Sequence, residues 1–100
     1  MSIVDENKSK IAELCAKHSV YRLFVFGSVL TKNFNNKSDI DFVVDFNKID
    51  LYSYADNYFS LKSALEKLLK RPIDLLEEKA IKNPFLKQAI DANKQVVYGH

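Results

Sequence analysis

One hundred residues, 47% hydrophobic and 28% charged, fit one small soluble domain with a modest core and leave no room for a second folded unit. The formal net charge of +2, with lysines and acids interspersed, gives no direct evidence for nucleic acid. With one cysteine, no leader-like start and no apolar run near the roughly 20 residues of a membrane span, the expectation is a cytoplasmic protein without disulfides.

Ile11, Leu14, Cys15 and His18 follow helical spacing, which predicts an amphipathic helix over about 5–18. Cys15 reads as a small buried hydrophobe and His18 as a structural residue near the helix end. Val20 to Phe26 is rich in β-branched and aromatic residues and reads as a strand. Gly27 and Ser28 break it, a short helix is expected from Val29-Leu30, and the Asn-rich stretch from Asn33 to Lys37 reads as a loop. Ile40 to Phe46 is the second strand.

Tyr54, Tyr58, Leu61, Leu65, Leu68 and Leu69 mark one face of a longer helix, stopped by Arg71-Pro72. Tyr52, Tyr54, Tyr58 and Phe59 read as core and boundary packing, and Lys67, Lys70 and Arg71 as complements to the helix dipole. Ile73 to Leu76 is a short third strand. Asn83-Pro84 looks like an N-cap before a helix expected to bury Phe85, Leu86, Ala89 and Ile90. Gln95 to Tyr98 could add a last strand. The fold class is therefore α/β: a small mixed sheet with helices packed on it.

The chemistry concentrates in two places. Phe24-Val25-Phe26-Gly27-Ser28 puts a Gly-Ser turn at a strand end, where backbone N–H groups can cradle phosphate. Ser38-Asp39-Ile40-Asp41 then puts two carboxylates on one face of the next strand, with Ile40, Phe42, Val44 and Phe46 on the other. Adjacent carboxylates repel, and a hard cation such as Mg²⁺ offsets that cost while bringing substrate phosphates with it. Asp74, inside a short apolar run, is the candidate third acid, as a metal ligand or a base. Asp45 shares the face of Asp39 and Asp41 but reads as a solvated strand-end residue.

At these residues the chain resembles the minimal nucleotidyltransferases of the polymerase-beta superfamily. Their signature is Gly-Ser, a spacer, Asp-x-Asp and a later third Asp, here Gly27-Ser28, Asp39-Ile40-Asp41 and Asp74. The resemblance implies that Gly27 and Ser28 grip a nucleoside triphosphate, ATP by preference. It also implies that Asp39 and Asp41 bind one or two Mg²⁺ ions and that Asp74 completes the site. Family members commonly carry an Arg three positions after the Ser, then a Gly. This chain has Thr31 and Lys32 there in that nucleotide-binding turn, so Lys32 or another base would have to supply the charge.

Larger superfamily members carry extra acceptor-binding domains, so the acceptor is expected on another chain. Proteins of this appearance often act as antitoxins paired with a HEPN-type toxin, and some add AMP to that partner. The leading expectation is thus a Mg²⁺-dependent transferase moving AMP from ATP to a hydroxyl of a partner protein or small molecule. The alternative is an inactive module of the same fold that neutralises or assembles with its partner. A metal-dependent nuclease ranks below both, because no catalytic Lys or His stands close to the Asp pair and no basic groove is evident.

Overall fold

Two strands fix the centre of the sheet. In the computed structural model, which describes residues 3–27 and 39–99, β1 (Val20–Phe26) and β2 (Ile40–Phe46) pair antiparallel. Their register sets Phe26 opposite Asp41 and Val20 opposite Phe46. β3 (Ile73–Glu77) runs parallel to β2, and β4 (Gln95–Tyr98) runs antiparallel on the far side of β1, giving the order β3-β2-β1-β4. A parallel neighbour requires a crossover, and α3 (Leu51–Leu69) supplies it. The sheet is mixed, and the expected final strand is present.

One sheet face carries Ile40, Phe42, Val44 and Phe46, as the alternation of β2 predicts, and packs on α2 (Lys8–Lys17) through Ile11 and Cys15. Leu61, Leu65 and Leu69 of α3 complete that core, each at most 1% exposed. Burial pushes the Cys15 thiol up to about 12, leaving it protonated and inert. The single N-terminal helix expected over 5–18 is instead two pieces, α1 (Ile3–Glu6) and α2, interrupted at Asn7. There the Asn7 amide donates to the Ile3 carbonyl at 2.8 Å, a local bond that competes with helix continuation. His18 closes α2 as a structural residue. Its Nδ1 donates to the Leu14 carbonyl at 2.7 Å, and Nε2 then accepts from the Ser60 hydroxyl at 3.0 Å.

The second face carries Phe24 and Val43, on which α4 (Pro84–Asn93) sets Ile90. Asn83 caps this helix as expected: its Oδ1 accepts from the N–H groups of Phe85 and Leu86, and Pro84 takes the first position. The expectation that Phe85, Leu86 and Ala89 are buried is wrong. Ile90 is the one buried residue of α4, while Phe85 stays 80% exposed. Among the described residues, the apolar ground under this helix is Phe24 and Val43 with the flanking Phe26, Leu76 and Ile81, and the strands turn acidic toward Asp41 and Asp74.

Two further readings change. Asp45 is not solvated: it is 5% exposed and ion-paired with Arg22 at 3.1 Å and Lys79 at 3.5 Å. Arg22 stands near it on β1 and also reaches Glu78, in a 3-10 turn over Glu78–Ala80, at 3.3 Å. The aromatic cluster of α3 divides. Tyr54 and Tyr58 pack against the core, but Tyr52 is 91% and Phe59 62% exposed. The expected short helix at 29–30 and the loop at 33–37 lie outside the described residues. Among those that are described, no helix is long and apolar enough to cross a membrane.

Candidate active site

The parallel pairing of β2 with β3 decides the geometry. It sets Asp41 directly beside Asp74, so the two carboxylates leave the same face of neighbouring strands. Asp39 precedes β2 by one residue and lies two positions from Asp41, on the same side. The three acids picked from the sequence therefore meet at one end of the sheet. The Ile40 N–H donates to the Pro72 carbonyl at 3.1 Å, which ties the start of β2 to the start of β3. Arg71-Pro72 thus ends the α3 segment, after Lys70 takes a left-handed φ of 56°, and also anchors the acidic corner.

Gly27 closes the other side. Its φ is +80°, a conformation L side chains rarely adopt. A Cβ there would overlap Asp41 Oδ2 and stand 3.3 Å from Asp41 Cγ. Glycine is required twice over, by the backbone turn and by the carboxylate lying against it. Ser28, Thr31 and Lys32 lie outside the described residues.

The electrostatics follow from this crowding. Burial, then Asp74, then Asp39 push the Asp41 carboxyl above the usual carboxylate range. Carboxylates this close disfavour one another's charge. Hard carboxylate oxygens of this kind fit Mg²⁺. Among the described residues, no three such side chains are already grouped closely enough to hold a metal ion.

Positioning of Asp74 depends on residues whose role the sequence did not reveal. β3 is an edge strand, and α3 reaches two of its backbone groups. The Tyr58 hydroxyl donates to the Leu75 carbonyl, and the Ile73 N–H donates to Glu66 Oε2 at 3.4 Å. The Tyr54 hydroxyl donates to Glu77 at the end of the same strand. Burial, then Asp74 and Glu77, raise the Tyr58 phenol, so it remains a donor. The signal is the placement of Tyr54 and Tyr58 on the inward face of α3, where packing of the rings leaves their hydroxyls to find partners.

Comparison with known proteins identifies the family and the fold. Residues 9–100 match the family described as polymerase beta, nucleotidyltransferase. The proposed protein adenylyltransferase MJ1379 of Methanocaldococcus jannaschii is 33% identical over 83% of this chain and 90% of its own. MJ0128 of the same organism, proposed to have the same activity, is 36% identical over 75% of this chain and 74% of its own. A solved structure of a proposed minimal nucleotidyltransferase superposes with a TM-score of 0.77, at 28% identity over 95% of both chains. A toxin–antitoxin structure with AMP-PNP shares the fold at 22% identity, covering 94% of this chain and 74% of that one, with a TM-score of 0.72. The chain belongs to the polymerase-beta nucleotidyltransferase family, and it is a nucleotidyltransferase of the minimal type.

Proposed function

We propose that the chain transfers AMP from ATP, with Mg²⁺, to a hydroxyl on a partner protein. The observation that carries the reading is the register Asp41 beside Asp74 with Gly27 against the Asp41 carboxylate. Asp39, Asp41 and Asp74 would hold the cation, which when bound neutralises the phosphates and the charge of the leaving pyrophosphate. Gly27, with Ser28, Thr31 and Lys32 beyond it, would receive the terminal phosphates on backbone N–H groups and side-chain donors.

The acceptor oxygen attacks the α-phosphorus, the bond from that phosphorus to the bridging oxygen breaks, and pyrophosphate leaves. Asp74 would either complete the cation's ligands or take the acceptor's proton. Catalysis here is mainly positioning, so the rigid edge strand that α3 pins has a direct function.

Support for a protein acceptor comes from relatives. The methanogen proteins carry the protein adenylyltransferase description. A fold neighbour at 20% identity and a TM-score of 0.67 is an MNT antitoxin in complex with a tri-AMPylated HEPN toxin from Shewanella oneidensis. We take a HEPN-type toxin as the partner. The second reading, an inactive antitoxin, is favoured by Thr31-Lys32 standing where the family commonly has Arg and Gly. Mass spectrometry of a co-expressed HEPN-type partner separates the two. AMP adducts present with wild type and absent with Asp41→Asn establish transfer. An unmodified partner that the triple variant Asp39→Asn/Asp41→Asn/Asp74→Asn still neutralises establishes the binding module.

A further inference from the structure

The helix that crosses from β2 to β3 buries Leu61, Leu65 and Leu69 on one side. On the opposite side Tyr52, Asp56, Phe59, Ser63, Lys67 and Lys70 follow one another at spacings of three and four, which places them along a single stripe. All six are exposed. The solvent face of such a helix is normally polar, yet this one carries two large rings near its centre line. Tyr58 meets Phe59 edge-on at 5.0 Å between centroids and still leaves it 62% exposed.

Charge divides along the same stripe. The N-terminal half holds Asp56, with Asp50 at the N-cap, and the C-terminal half holds Lys67, with Lys70 at the C-cap. Glu66, at the margin of the basic half, accepts from the Ile73 N–H. Among the described residues none of Asp50, Asp56, Lys67 and Lys70 takes part in an ion pair. Asp56 and Lys67 stand about 16 Å apart along the helix axis, too far to pair within one chain. Phe59 lies beside the midpoint of Leu51–Leu69. A surface acidic at one end, basic at the other and aromatic in the middle is complementary to itself turned end for end.

We propose that this stripe is a homodimer interface, in which a second copy of the chain packs its α3 antiparallel across Phe59. The two Phe59 rings meet near the two-fold axis, and Ser60 and Ser63 beside them are small enough to let the helices approach. Tyr52 lies opposite Lys67 of the second copy and covers its stem. That lysine leans toward the N-terminus of its own helix, which carries its ammonium to Asp56. Each contact occurs twice. α3 packs on the sheet face of Ile40, Phe42 and Val44, and Asp41 lies on the other face, so both acidic corners stay open in the dimer. A contact of one helix per chain is at the small end of stable interfaces, so the dimer is reversible and depends on concentration.

Sedimentation equilibrium over a concentration series tests this on the whole chain, with circular dichroism as the check on folding. Wild type should pass from monomer to dimer. Phe59→Asp, which sets two like charges at the axis, should stay monomeric. Asp56→Lys should weaken the dimer about tenfold, from two surface pairs turned repulsive, and Asp56→Lys/Lys67→Asp should restore it. That rescue is specific to the antiparallel contact between chains. Wild type monomeric throughout overturns the proposal, as does a folded Phe59→Asp that dimerises like wild type. A charge swap no better than Asp56→Lys alone overturns the antiparallel arrangement. A monomeric wild type whose binding to a co-expressed HEPN-type partner is lost in Phe59→Asp gives the stripe to that partner and also overturns the homodimer. None of these results depends on nucleotide, so the transfer reading stands or falls separately.

Discussion

Asp41 faces Phe26 across one strand pair and Asp74 across the other, with Gly27 against its carboxylate. Its carboxyl titrates above the usual range because burial and two neighbouring acids disfavour the charge. With the folded value above the unfolded one, the folded chain keeps this proton after the unfolded chain has lost it. Asp41 therefore favours folding most below the unfolded value, and that contribution is lost as pH rises through the folded one. Asp41→Asn should raise Tm at neutral pH, by about 4–8 °C for each kcal/mol of repulsion removed, and should abolish any stabilisation by Mg²⁺. Calorimetric scans with and without the ion check both parts. Gly27→Ala should cost about 1–3 kcal/mol through its strained φ, and transfer should fall about a hundredfold from a displaced Asp41. Denaturant melts and a transfer assay measure the two losses. At this scale the sequence showed the acids and the glycine, because strand alternation and a broken strand are local patterns. It misplaced Asp45, whose cations Arg22 and Lys79 come from other parts of the chain and are joined to it only by the fold.

Two elements hold the site, and they differ in how they are secured. α3 is bound by three fully buried leucines and by two side chains that bond the edge of β3. Tyr58→Phe should lower stability by about 1 kcal/mol, the usual cost of one hydrogen bond, yet reduce transfer beyond what that loss explains. Comparing Tm with the turnover rate at saturating ATP distinguishes the two effects. α4 rests on Ile90, its Asn83 cap and, just past its end, Lys94, which pairs with Glu78 at 3.6 Å and lies 4.2 Å from the Phe24 ring centroid. Asn83→Ala should cost about 1 kcal/mol, read from urea melts. The cap was legible because Asn-Pro is a local signal. The exposure of Phe85 and Leu86 was not, because it depends on how little apolar ground the opposing sheet face offers.

Over the whole molecule, element order and sheet class followed from periodicity and from the turn residues between elements. Register did not, and register sets Asp41 beside Asp74. It arises where the Ile40 and Pro72 backbones meet and where α3 covers the edge of β3, contacts distant in sequence. Leu65→Ala, in the core beneath that sheet, should cost about 2–5 kcal/mol and reduce cation binding only in proportion to the unfolded fraction. The central claim is that the three acids and Gly27 form one Mg²⁺-nucleotide site. Calorimetric titration of ATP with Mg²⁺ into wild type and into Asp39→Asn/Asp41→Asn tests it most directly. The account predicts Mg²⁺-dependent binding to wild type that the double variant loses while its circular dichroism stays unchanged. Equal binding by a folded double variant would contradict it.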